Sequence, residues 1–128
     1  MSQIEELTDA TWDEYLQATK RPLLIMFYTF DCPHCAVMAP HFERYATEFT
    51  GKVDFARVNI AENQTIMLRY GIMGTPTFAF FCETHAIRMT AGEMYPTLIK
   101  KFVEDALELS PQCAKNTTWI NFGITGYA

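Results

Sequence analysis

The chain contains no run of lysine or arginine. Basic residues stand together at most in pairs, such as Lys100–Lys101 inside a stretch patterned as a helix, and 10 basic residues stand against 15 acidic ones for a net charge of −5. Nucleic-acid grooves and anionic-membrane patches need a concentrated positive field, so neither is expected as a partner. Long apolar runs are missing too. The longest, Leu23 to Phe30, is broken only by Thr29 and falls far short of the ~20 residues of a membrane span. The opening Met1 to Leu16 is acidic and mixed, without the basic start and apolar core of a secretory signal, so the expected location is cytoplasmic. Cysteine is scarce at 4 residues, with only one CxxC pair (Cys32 and Cys35). A closed metal site needs about four ligands, which one such pair does not supply, and His41 and His85 lack partners at ligand spacing. No internal repeat or low-complexity segment is present. What remains is an ordinary globular composition, 49% hydrophobic and 20% charged over 128 residues, enough for one domain with a substantial core.

The apolar pattern alternates between helices and strands. A short strand is expected around Gln3 to Leu7. Thr11 and Glu14 have capping-box spacing ahead of a helix over Trp12 to Ala18. Leu23 to Phe30 is continuously apolar and suits a strand covered on both faces. A helix follows from Pro33 to Phe49, with Val37, Phe42, Tyr45, Ala46 and Phe49 as its apolar side and Pro40 as a kink. Val53 to Val58 alternates as the second strand of a β-α-β unit, which implies parallel pairing. Glu62 to Tyr70 is a short helix stopped by Gly71. Thr77 to Cys82 and Ala86 to Thr90 form a hairpin around Glu83 to His85. Pro96 opens a last helix with a stripe of Leu98, Ile99, Phe102, Val103, Ala106 and Leu107, and Ser110–Pro111 is expected to end it. The fold class is α/β: a mixed sheet flanked by helices.

This order puts Cys32 at a strand end just before a helix. Unpaired N–H groups and the positive end of the helix dipole stabilise a thiolate there. Helix N-termini and CxxC pairs can lower a cysteine pKa from near 8.5 to about 3.5–7.5. Cys32 is the expected nucleophile, and Cys35, one turn on, can attack a mixed disulfide and release the partner. Pro33 can start the helix without needing its missing N–H. His34 brings a potential positive charge, while Asp31 opposes ionisation of Cys32. In a reducing compartment such a pair is redox-catalytic or metal-binding rather than a structural staple.

Cys32-Pro33-His34-Cys35 after an apolar strand, Pro40 in the next helix, the loop Tyr70-Gly71-Ile72-Met73-Gly74-Thr75-Pro76-Thr77, and Ala91-Gly92-Glu93 before the last helix together resemble the thioredoxin family over about Ile4 to Leu109. The resemblance implies the thioredoxin fold and a cis Thr75–Pro76 peptide facing the dithiol. It also implies that the Thr75 backbone pairs with an extended substrate segment, with Pro33, Met73, Gly74 and Gly92 completing a shallow apolar docking surface. Three features depart from typical members. Asp31 stands where Trp is usual. Pro-His separates the cysteines, as in bacterial periplasmic disulfide oxidases. Met26 replaces a buried carboxylate, which leaves the cation at Arg57 without its expected partner.

The implied function is thiol–disulfide oxidoreduction through Cys32 and Cys35, favouring reduction of protein disulfides over oxidation, with no cofactor. The implied partners are protein disulfides and dithiols and a flavin-dependent thioredoxin reductase, with the chain a monomer. The competing reading is a thioredoxin-like redox switch or binding module without turnover. Residues 1–109 form the expected domain and 110–128 an extension packed on it or pairing with it. In that extension Ile120, Phe122 and Ile124 alternate in strand period, and Asn116 begins an incidental glycosylation sequon. Cys82 and Cys113 are expected as reduced thiols, although a bridge between them is geometrically open.

Overall fold

The computed structural model describes the backbone of residues 4–115 and the side chains of residues 4–108. The expectations for the tail strand, the sequon and the Cys113 thiol fall outside those residues. The elements run β1 (Ile4–Leu7), α1 (Trp12–Ala18), β2 (Leu23–Tyr28), α2 (Pro33–Glu48), β3 (Asp54–Asn59), α3 (Gln64–Tyr70), β4 (Thr77–Cys82), β5 (His85–Ala91) and α4 (Pro96–Lys115). Strands order as β1-β3-β2-β4-β5. β1, β3 and β2 are parallel, while β4 runs antiparallel to both β2 and β5.

The continuous apolar run of β2 is explained by two cores. Leu24, Met26 and Tyr28 face a cluster built with Met38, Phe42 and Tyr45 of α2 and Ile99, Phe102 and Val103 of α4. Leu23, Ile25 and Phe27 face the other cluster, with Trp12 and Leu16 of α1 and Ile66 of α3. Alternate side chains of one strand therefore enter opposite cores, and all six are buried. β4 does the same. Phe78 and Phe80 join the first core, and Phe81 meets Trp12 edge-on at 5.5 Å between centroids in the second.

Four expectations change. The capping box at Thr11 does not form, because the Thr11 hydroxyl accepts instead from the Thr8 backbone N–H at 3.0 Å. On α2 the buried face runs through Cys35, Met38, Phe42, Tyr45 and Ala46, in helical phase; Val37 sits one position off that stripe and is exposed. Leu98 lies in the first turn of α4 and is likewise partly exposed. Finally, α4 does not end at Ser110–Pro111 but continues to Lys115. Proline removes one N–H bond and crowds the preceding turn. A helix already fixed by Ile99, Phe102, Val103 and Ala106 carries that local loss.

The register decides where the site is built. Phe27, near the end of β2, pairs with Thr77, at the start of β4, and Thr77 pairs with Ala91, at the end of β5. Three loops consequently leave the same end of the sheet: Thr29–Cys32, the one ending at Pro76, and the one beginning at Gly92. β4 ends at Cys82 on the opposite end. Cys82 is disulfide-bonded, which overturns its expected reduced state. It is buried at the strand end nearest the hairpin turn, away from the thiol pair at the start of α2.

Candidate active site

Cys32 is the N-cap of α2, with extended backbone angles, and Pro33 follows at the first helical position. The Cys35 backbone N–H, one of the helix's otherwise unpaired donors, points at Cys32 Sγ at 3.1 Å. The Cys32 thiol in turn reaches the Thr75 carbonyl oxygen at 3.5 Å. Burial pushes Cys32 up, but hydrogen bonding with Cys35, with Thr75 and with the backbone of Cys35 and His34 outweighs it, so the thiol titrates below its usual range. Cys35 is buried, only 4% exposed. Its burial, followed by the hydrogen bond with Cys32, pushes it above its usual range. One turn of helix thus separates an accessible, acidified thiol from a buried, protonated one.

The Thr75–Pro76 peptide is cis, as the resemblance implies. The loop around it is fastened from both sides. The Thr77 hydroxyl donates to the Gly74 carbonyl at 2.7 Å. The Gly92 N–H donates to the Pro76 carbonyl at 2.8 Å. Gly92 adopts φ +101, a conformation that favours glycine. Thr75 is therefore brought against the dithiol, with Pro76 next to it and Gly92 bonded to Pro76, whereas Gly74 is exposed and Met73 is 96% exposed. Phe30 and Tyr95 are also exposed aromatics. Asp31 is exposed and is not among the main influences on Cys32, which come from Cys35, Thr75 and His34.

Two acidic residues that sequence reasoning missed complete the surroundings. Glu93 Oε1 lies 2.5 Å from His34 Nδ1, although the residues are 59 apart in sequence. Its hydrogen bond and charge raise the His34 pKa. Met26 leaves Arg57 without the family's buried carboxylate, and Glu6 pairs with the cation instead. β1 and β3 pair Glu6 with Arg57 directly, and Arg57 Nε donates to Glu6 Oε1 at 2.6 Å. The Tyr28 hydroxyl donates to the other Glu6 oxygen at 2.8 Å. Burial, then the Glu6 contact, pushes the Tyr28 phenol up to about 12. Met26 lies beside this group and lines, with Tyr28, Phe30, Cys32, Cys35 and Arg57, a cavity of about 180 Å³. Short-range sequence patterns hold no signal for either acid, because both contacts depend on strand register. Among the described residues no cluster of His, Cys, Asp or Glu is arranged to hold a metal.

A family model described as Thioredoxin matches residues 3–105. The chain belongs to the thioredoxin family. It is 28% identical to Thioredoxin 1 of Nostoc sp. over 107 residues, covering 84% of this chain and 100% of the relative. It is 30% identical to a thioredoxin of Alicyclobacillus acidocaldarius over 102 residues, 80% and 96% of the two chains. A thioredoxin of Buchnera aphidicola is 29% identical over 105 residues, 82% and 97%. Like other thioredoxins, this chain is a thiol–disulfide oxidoreductase acting on protein disulfides, and Cys32 and Cys35 have the family's CxxC spacing. No helix among the described residues is long and apolar enough to cross a membrane.

Proposed function

We propose that this member of the thioredoxin family reduces disulfides in proteins, with Cys32 as the attacking thiolate and Cys35 as the resolving thiol. The observation that carries the assignment is the N-cap geometry. Cys32 Sγ accepts the Cys35 N–H at 3.1 Å while Cys35 itself is buried. Cys32 opens a substrate disulfide, giving a mixed disulfide and a free substrate thiolate. Cys35 then loses its proton and attacks Cys32, forming the intramolecular disulfide and releasing the second substrate thiol. The Thr75 backbone, beside cis-Pro76, offers its polar groups to an extended substrate segment, and Pro33, Met73, Gly74 and Gly92 frame the docking surface. His34 supports the thiolate and Asp31 contributes little.

Two electrons must return to the pair for each turnover, and we assign that task to a flavin-dependent thioredoxin reductase. A cytoplasmic monomer is the setting this reading needs, with residues 1–109 as the working domain. Insulin reduction with dithiothreitol tests the assignment: activity is expected in wild type and lost in both C32S and C35S. Substrates should accumulate as mixed disulfides on C35S and not on C32S. Turnover that survives C32S overturns the division of roles between the two thiols. Association with a partner in the absence of turnover would instead support a redox-switch module.

A further inference from the structure

His34, between the two cysteines, is 66% exposed on its side chain, yet it is tied across the site to Glu93. Glu93 follows Gly92, whose N–H is fixed to Pro76 at 2.8 Å, so the carboxylate is carried by the same backbone that braces the cis-proline loop. It also walls a groove of about 570 Å³ beside α2, lined by Val37, His41, Tyr95 and Leu98. The charged groups that act on His34 are Glu93 from the loop before α4 and Cys32 from the N-cap of α2. Asp31 is exposed on the segment before Cys32, and His41 and the Tyr95 phenol lie along the groove. The loop from Met73 to Pro76 presents no ionisable side chain, and the first turn of α4 has no acidic one.

We propose that Glu93 is a positioning residue of the exchange site: through its contact across the site it holds the His34 imidazole beside Cys32, so that its influence on the dithiol is carried by His34 and fades as pH falls. This rests on Cys32 being the exchanging thiol. Towards neutral pH Glu93 helps His34 keep its proton, and the imidazolium and the Cys32 thiolate favour each other's charged forms. The net effect favours the thiolate, and therefore the reduced form. Well below the ordinary histidine range the imidazole is charged with or without Glu93. The imidazole then has the same charge in the two cases, so removing Glu93 should make the pair less oxidising at the higher pH and matter less at the lower one.

The test is the equilibrium with glutathione for wild type and E93Q at pH 5.5 and 7.5, with the imidazole C2–H of His34 followed by NMR. The mutant's oxidising power should fall by roughly two- to threefold at pH 7.5, the size expected of an exposed charge pair, and approach wild type at pH 5.5. The His34 midpoint should drop towards ~6.5, its ordinary value. In an H34Q background the effect of E93Q at pH 7.5 should vanish. A mutant as oxidising as wild type or more so at pH 7.5, an unmoved His34 midpoint, or an effect that persists with H34Q overturns the proposal. The NMR titration does not depend on exchange chemistry, so failure of the Cys32 assignment would leave the His34–Glu93 result readable on its own.

Discussion

Cys32 and Cys35 are one helical turn apart, yet their surroundings pull their titrations in opposite directions. The helix terminus, with its donated Cys35 N–H, lowers Cys32, and burial raises Cys35. A lowered thiol keeps its thiolate as pH falls below the ordinary ~8.5, and a raised one stays protonated as pH climbs past it. In the reduced protein at pH 7, iodoacetamide should therefore modify Cys32 well before Cys35, as peptide mass spectrometry would register. The Cys32 rate should level off at a pH below that of a free cysteine; equal labelling of the two would contradict the assignment. Met26 gives a second residue-scale expectation. It shares a cavity with both thiols and Arg57 and offers no proton acceptor there. M26D should speed release of mixed disulfides by giving the Cys35 proton a nearby acceptor. It should also destabilise the fold by roughly 3 kcal/mol, the scale of an imperfectly paired buried charge. Stopped-flow release kinetics and urea titration would measure the two effects separately, and an unchanged release rate would count against the first. The thiol pair and its strand-to-helix setting are legible in sequence. The partners of His34 and Arg57 are not, since neither Glu93 nor Glu6 is near its cation until the strands pair.

Elements with one dominant signal are the ones the chain announces. β2 and β4 are unbroken apolar runs, and α1 and β4 have the bounds their patterns predict. Ends and faces are less visible. Pro111 resembles a stop but is accommodated, and Val37 resembles a core residue but misses the buried face of α2 by one position. The β4–β5 turn shows a local cost that hydrophobic pattern does not expose. Glu83 and Thr84 both take positive φ, 50° and 75°. Two-residue hairpins favour Asn-Gly there, and a β-branched residue is strained in that region. The strain is worth about 1–2 kcal/mol per residue, offset by about 0.5–1 kcal/mol of glycine chain entropy. E83N/T84G should thus stabilise the protein by roughly 1 kcal/mol, seen as a higher urea midpoint with an unchanged slope. No gain would mean that the present side chains make compensating contacts.

Across the whole molecule, two cores on opposite faces of one sheet divide the labour. The larger, between the sheet and α2 and α4, contains Phe42, fully buried and packed at 5.1 Å from Phe55 and 6.0 Å from Phe78 between ring centroids. F42A should cost about 4 kcal/mol by urea unfolding. L68A, at a residue 74% exposed on α3, should change stability by less than about 0.5 kcal/mol. Similar losses for both would mean that the core is not where the packing places it.

The row joining Phe27, Thr77 and Ala91 fixes the spacing between dithiol and cis-proline loop from beneath, through backbone pairing. Met73, at the rim of the docking surface proposed above, is 96% exposed and lies outside both cores. In that mode of docking the Thr75 backbone, which meets the substrate chain, is held in the same frame as the thiols, while the Met73 side chain answers to neither core. Recognition then has a fixed part, shared with the chemistry, and one interchangeable fitting at its edge.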